Sequence, residues 1–582
     1  MDIIYVFLLL FSFAGYFIYL KYKFNIVDEL NFGFQFIFIT FVTFVFGLLN
    51  ILVLGSYVLL ILGICLLIYS IKKYKSEIST DIKHPNINLA IILILFIYVT
   101  VVSLNFKLVH YDNFTHWGLI VKNMILFDRL PNFENLSIIF KGYQPGSACF
   151  IYYIAHFFDF NEGIMITCQN YLLVAFFSSI LLLTHKRNPI LKVLSVFTII
   201  FSMIISVPFC NLLVDTLLSS IFTFVFVLVY YYQKDLKKLF ICLFVVSIYL
   251  CLIKNTGYVL TFIICLIFLL ISIKNKEFKK GIIGSFIIGI SSLLLLYIWT
   301  AHVKYSYGYY ALYSHHAFTT NNILVHLKEL GIDGIVKFIK IYLTKFADIE
   351  NNRGVLLIFL ANIILLCQII FSKNRKKIFK YLVIIDFIYI VYYIFLGLMY
   401  ICSMEQDGLF VVVAFNRYIL TITVPLFILS TLVFFHYSSN YKSVLVYIFS
   451  IVYIATILCV TNASYSFDSL KFLVGNLDYE NTYAYELDKI VGKKYINENS
   501  NQQYYVYAPN SKNSYGLLMY SVNYKFNVPN VRVVFSIDDF STLNINGSRI
   551  IRFEQDKEID NYLKNISYCE ISKNIYEECK EG

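Results

Sequence analysis

The stretch Ile282–Trp299, IIGSFIIGISSLLLLYIW, carries no charged side chain. Its length is close to the ~20 residues that a helix needs to cross a bilayer. Ile91–Asn105 and Leu191–Pro208 read the same way. In lipid only helices and closed barrels satisfy every backbone N–H and C=O, and these runs lack the apolar–polar alternation of barrel strands. They are helical spans. Outward from them, about fourteen spans follow: 3–20, 32–49, 51–71, 88–106, 164–184, 190–208, 212–232, 239–253, 257–273, 281–300, 354–371, 379–400, 417–435 and 443–460. The first begins on acidic Asp2 with no small-residue cleavage site after it, so it reads as a span rather than a cleavable signal. Composition agrees: of 582 residues 59% are apolar and 14% charged, against about 25% charged in a soluble domain. The fold class is an all-α polytopic membrane protein with a small soluble domain at its C-terminal end.

A net charge of +11 would suit a nucleic-acid partner, but its placement excludes one. Basic residues cluster at Lys21/Lys23, Lys72/Lys73/Lys75, Lys186/Arg187/Lys192 and Lys234/Lys237/Lys238. They cluster again at Lys274/Lys276/Lys279/Lys280, at Arg375/Lys376/Lys377/Lys380 and, weakly, at Lys442. That is every second loop, the positive-inside pattern. Both termini are then expected outside, with the segments 107–163, 301–353, 401–416 and 461–582. A multi-pass protein of the plasma membrane is expected, its functional side and tail extracytoplasmic.

Loops longer than ~15 residues are usually functional or structured, and 107–163 and 301–353 both qualify. In HWGLIVKNMILF, helical spacing places Trp117, Ile120, Val121 and Met124 on one face, as for a helix lying on the membrane surface. NNILVHLKELGIDGIVKFIKIYL is a second amphipathic candidate, split by Gly331 and Gly334. After Thr461 the composition turns polar. QQYYVYA and VRVVFSI alternate as strands, while YELDKIVGKKYINE and KEIDNYLKNI read as helices, so residues 461–582 are expected to form a compact α/β or α+β ectodomain. Cys569 and Cys579 share it, either as a disulfide or as two free thiols. No zinc-like CxxC pair, P-loop, GxGxxG or GxSxG occurs, which argues against a structural metal site, an ATP-driven pump or a serine hydrolase.

The densest polar cluster is His110-Tyr111-Asp112-Asn113-Phe114-Thr115-His116-Trp117, directly after the fourth span. A carboxylate at the membrane edge is a default functional candidate. Asp112 and His116 stand four apart, so one helix face would carry both, as a base with a helper or as a ligand pair; an interfacial loop anchored by Trp117 is the competing reading. Asp215 lies about a turn into the seventh span, Lys254-Asn255 follows the eighth, and Arg417-Tyr418 opens the thirteenth. Lys254 and Arg417 also suit interfacial anchoring. A carboxylate inside a span, such as Asp215, calls for a partner or a cavity.

YDNFTHWGLIVKNM followed by KGYQPGSACFIYYIAHF resembles the first outer loop of GT-C-fold glycosyltransferases, integral-membrane enzymes that take sugars from polyprenyl-phosphate or polyprenyl-diphosphate donors. Asp112 matches their acidic position, and Tyr143-Gln144-Pro145-Gly146 matches their turn with Gln144 in place of one proline. VDTLL at Asp215, KNTG at Lys254 and NRY at Arg417 look like later polar positions of bacterial members. The likeness covers roughly residues 88–436. It implies a GT-C-like module over 88–460, preceded by a transmembrane extension over 1–87, since three spans stand before the acidic loop. It further implies Asp112 as general base with inversion, His116 or Asp215 orienting base or acceptor, and Lys254 and Arg417 on the donor phosphate. Tyr143, Gln144 and Pro145 would form the substrate loop. A divalent ion, Mg or Mn, is left open. The expected partners are a polyprenyl-phosphate-sugar donor, a cell-envelope acceptor and membrane lipids. A transporter or flippase of lipid-linked glycans is the alternative, as is a polysaccharide polymerase or ligase; matching Gly/Pro-broken halves would favour a transporter, and none is seen.

The charge pattern makes the orientation testable. Cysteines placed singly in 130–140 and 520–530 should label from outside in intact cells, and one at 375–377 should not. Outside labelling at 375–377 would invert the topology.

Overall fold

The computed structural model describes residues 2–135, 137–184, 189–205, 210–313, 320–437, 447–448, 450–455, 457, 479–491, 503–512, 514, 516–526, 531–554, 556–572 and 574–579. The described residues contain eleven helices long and apolar enough to cross a membrane, or twelve if the helices Lys75–Lys83 and Ile87–Ser103, bent by 84°, are one span. This is a helical polytopic membrane protein. Of the other expected spans, Ile87–Ser103 has 17 residues and Pro189–Ile204 has 16, and 443–460 falls largely outside the described residues, as do Lys186, Arg187 and Lys442.

Burial sorts the helices. Glu162–Thr184, Asp215–Tyr232 and Phe415–Tyr437 form the centre, with 89%, 83% and 94% of their most apolar stretch buried, whereas Ile3–Phe24 and Phe278–Ala311 bury 22% and 28%. The outer helices turn large apolar side chains such as Phe286, Leu293 and Tyr297 outward, where a bilayer is the matching solvent. Residues on the central helices are therefore held from all sides, and Asp215 and Arg417 are among them.

Helix pairing on the periphery depends on small residues. A Cβ on Gly15 would lie 1.9 Å from the Gly63 carbonyl oxygen, and one on Gly63 would lie 2.0 Å from Ser12 Oγ. Small residues let two backbones approach where no hydrophobic force distinguishes helix from lipid; Tyr16 Oη then donates across the seam to Leu59 O at 2.7 Å. The first three spans pack into the rest of the bundle, with Phe36 against Phe150 and Phe34 against Phe224. At the basic end, Lys21 pairs with Asp28 at 2.8 Å and Asn88 Nδ2 donates to Glu29 at 2.7 Å. The candidate site lies at the opposite end.

Segment 107–163 folds into three short helices, Tyr111–Thr115, Trp117–Phe127 and Gly146–Ala155. The second departs from expectation. Every residue from Trp117 to Met124 is buried, so it is a packed element rather than a helix lying on the membrane surface. Thr320–Lys345 is interrupted where φ of Gly331 turns to +62°, and Gly334 stays helical.

The tail domain is a five-stranded sheet ordered β2–β1–β3–β5–β4, with β1 Tyr504–Tyr507, β2 Val531–Val534, β3 Arg549–Arg552, β4 Tyr568–Ser572 and β5 Ile575–Glu578. β2, β1 and β3 run parallel, and β5 and β4 add antiparallel pairs. Alternation along β1 sends Tyr504 and Val506 to one face, against Leu518 and Val522 of Leu517–Phe526. Tyr505 and Tyr507 go to the other, against Phe540, Ile559 and Leu563. The architecture is α/β with an antiparallel edge, and Cys569 and Cys579 are joined as a disulfide.

Gly63→Leu forces the first and third helices apart. Such overpacking costs about 1–3 kcal/mol, so the thermal midpoint in detergent should fall. Gly289→Leu, which meets nothing within 4 Å, should leave it unchanged or raised.

Candidate functional site

Asp112 lies in the first turn of Tyr111–Thr115, and Asp215 is the first residue of Asp215–Tyr232 rather than a turn inside it. Lys254 follows Leu236–Ile253 in extended conformation, and Arg417 is in the first turn of Phe415–Tyr437. Helix polarity suits Asp215 at an N-terminus and Lys254 at a C-terminus. It opposes Arg417, a cation at a positive helix end, and two carboxylates compensate.

These four meet. Arg417 Nη1 donates to Asp112 Oδ2 at 2.5 Å. Arg417 Nε stands 3.2 Å from Asp215 Oδ2, an ion pair without hydrogen-bond alignment, since neither atom finds a hydrogen-bond partner. Lys254 Nζ donates to Asp215 Oδ1 at 2.8 Å. The result is a chain Asp112–Arg417–Asp215–Lys254 with balanced charge. Side-chain exposure is 7% for Asp112, 2% for Asp215, 8% for Lys254 and 18% for Arg417, so Arg417 is the most accessible of the four. Burial alone would raise the Asp112 carboxyl, but the Arg417 guanidinium, with His116 and His110 adding to it, holds Asp112 below the usual carboxylate range. His110 Nδ1 is 4.0 Å from Asp112 Oδ2.

His116 plays another part. The backbone leaves the helix at His116, with φ −155° and ψ −62°, so the helix face expected to carry Asp112 and His116 together is broken. Its ring lies against Trp117, Phe140 and Tyr143 at centroid distances of 4.8, 4.5 and 5.2 Å, with Nδ1 2.7 Å from Thr115 Oγ1. Burial pushes His116 down to about 3. It is a neutral, caged imidazole.

The Tyr143-Gln144-Pro145 turn sits beside Lys254. Gln144 Nε2 donates to Asn255 Oδ1 at 2.7 Å. A Cβ on Gly146 would lie 2.5 Å from the Leu252 carbonyl oxygen, so only glycine allows Gly146–Ala155 to start this close to the end of the neighbouring span. Tyr143 stacks on Trp117, and Pro145 O accepts from Cys149 N at 2.8 Å, starting the helix. Two residues that the sequence places in these clusters without a role also contribute. Tyr418 places its ring 4.9 Å from Lys254 Nζ and 5.2 Å from the Arg417 guanidinium, a cation–π contact to both. Asn113 Oδ1 accepts from Leu212 N at 3.1 Å, tying the Asp112 turn to the segment before Asp215. Adjacency to Arg417 and Asp112 was the available signal for each.

Among the described residues no group of three or more His, Cys, Asp or Glu could hold a metal ion. Asp112 and Asp215 are already matched to cations, so they do not fit a divalent ion as arranged. What the arrangement can do is present two cations to an anion at the end of the bundle, with a carboxylate beside them.

Removing one member of a buried ion pair leaves its partner uncompensated, typically ~3–5 kcal/mol destabilising. Lys254→Met and Asp215→Leu should each lower the unfolding midpoint, and the double variant should lose less than the sum. Additive losses would mean that the two do not interact. No family model matches this chain, and neither curated proteins nor solved structures give a significant match.

Proposed function

We propose that this chain is a GT-C-like sugar transferase that moves a sugar from a polyprenyl-phosphate- or diphosphate-linked donor to a hydroxyl of a cell-envelope acceptor, whether glycan, lipid or protein. In this reading the spans at 88–106, 190–208 and 443–460 bring the count to fourteen. The site and tail face outward from the plasma membrane. The observation that carries the reading is the buried Asp112–Arg417–Asp215–Lys254 chain, assembled from four elements at one end of the bundle with Arg417 its most exposed member. Burying four charges is expensive, and a packing role alone does not call for it.

The donor phosphate takes the Arg417 guanidinium, whose planar fork matches two phosphate oxygens, with Lys254 as the second cation. Drawing Arg417 toward phosphate loosens its hold on Asp112. A buried carboxylate that loses its cation becomes more basic. The acceptor oxygen then attacks the anomeric carbon while its proton passes to Asp112. The anomeric C–O bond to phosphate breaks, its electron pair leaves with the polyprenyl phosphate, and the configuration inverts. Asp215 holds both cations in place, and neutral His116 shapes the wall.

Two measurements test this. Asp112→Asn breaks the pair with Arg417 and so should lower the unfolding midpoint as any broken pair of the chain does, while in the folded fraction donor binding persists and transfer per folded molecule falls ~10²–10⁴-fold, the usual general-base contribution. Near-normal transfer in Asp112→Asn together with loss in Asp215→Asn would move the base to Asp215. The pH profile is the second. In the free enzyme Arg417 holds Asp112 low, so the acid limb of kcat/KM should fall below the usual ~3.9 of aspartate. With donor bound, Arg417 is engaged elsewhere and the acid limb of kcat should lie higher. Coincident limbs would contradict the handover.

A further inference from the structure

The helix Trp117–Phe127 has one charged residue, Lys122, and it is 1% exposed. An ammonium out of water needs acceptors, and it finds them 402 residues along the chain. Lys122 Nζ donates to Tyr524 O at 2.5 Å and to Lys525 O at 3.2 Å. Both carbonyls belong to the last turn of Leu517–Phe526, where a helix leaves its final C=O groups without internal partners and carries its negative end. A residue of the outer loop thus caps a helix of the tail domain.

The contact is built on both sides. Lys122 Nζ lies 4.7 Å from the Tyr524 ring centroid and 5.4 Å from that of Phe160. Next to it, Lys525 Nζ meets Asp488 Oδ1 at 2.8 Å and Glu162 Oε1 at 3.6 Å. Glu162 Oε2 in turn accepts from Leu108 N at 2.9 Å. Burial pushes Lys122 down to about 7, with the Glu162 carboxylate opposing the fall; as amine or as ammonium, the side chain keeps its N–H donors. The Tyr524 ring then packs on Phe114, centroids 5.1 Å apart, and Phe114 stands two residues after Asp112 in the same single turn.

We propose that Lys122 is a positioning residue for the transfer reaction: by capping Leu517–Phe526 it presses Tyr524 onto Phe114 and holds the Asp112 turn against Arg417. This rests on Asp112 being the base. The tail domain is on this account one wall of the site, fastened by a lysine that never meets substrate. A misplacement of about 1 Å can cost ~10²-fold in rate, so loosening this fastening acts on turnover rather than on donor binding at Arg417 and Lys254.

The test uses the full chain in lipid nanodiscs with three variants: Lys122→Met, which keeps the stem and loses the donors, Tyr524→Ala, and Tyr524→Phe. The readouts are transfer from polyprenyl-phosphate sugars and hydrogen exchange of the 111–116 amides. Lys122→Met and Tyr524→Ala should lower kcat by about 10²-fold with donor KM nearly unchanged, and should speed exchange at 111–116. Tyr524→Phe should recover the kcat lost in Tyr524→Ala. Folded Lys122→Met with wild-type kcat, or with unaltered exchange at 111–116, overturns the proposal. Should Lys122→Met fail to fold, the two Tyr524 variants decide it by the same criteria. Should wild-type protein transfer no sugar, the transferase reading falls, while exchange still decides whether Lys122 holds the turn.

Discussion

Charge held out of water is the constraint around which one end of this bundle is arranged. Each ion of the Asp112–Arg417–Asp215–Lys254 chain carries a desolvation cost of several kcal/mol, tolerable only while every member keeps its neighbour. That condition reaches into the backbone. Asp215–Tyr232 must begin, and Leu236–Ile253 must end, at one depth for Lys254 to meet Asp215 at 2.8 Å. Phe415–Tyr437 must begin there too, although its dipole disfavours a cation at that end. A slip of one turn along any of these helices moves a side chain by about 5.4 Å and strands a charge.

The same arrangement divides the labour within the helix set. Peripheral helices meet lipid and pack through small residues such as Gly15 and Gly63, where shape is the only discriminator. Central helices, buried on all sides, can carry polar side chains because protein supplies the partners. The two cations of the chain stand at helix ends, and the most exposed of its four members is an arginine.

Much of the fold was readable from hydropathy alone, because a bilayer imposes length and polarity on every span. The depth of the four site residues was readable for the same reason, since each stands at a span end on the side away from the basic loops. Their pairing was not. Asp112 and Arg417 are 305 residues apart, and no local pattern records which span end touches which. His116 shows the limit of periodicity: spacing of four implies a shared face only if the helix continues, and here it breaks at His116. Trp117–Phe127 failed differently. An apolar stripe reads as surface-lying when its polar face is taken to meet water, but the tail domain and neighbouring helices cover that face, leaving Lys122 and Asn123 buried.

The cap between Lys122 and the Tyr524 carbonyl also orders events during synthesis. A ribosome adding about 5–20 residues per second needs roughly 20–80 s to cover the 402 residues between them. For that interval the loop helix has been made and its lysine has no helix end to cap. The contact therefore closes only when the last tenth of the polypeptide emerges and folds. A chain truncated ahead of Leu517 would hold its complete set of central helices and still present an unshielded ammonium beside Glu162. Such a molecule has its spans in place and is still unfinished at the end where Lys122 waits for its cap.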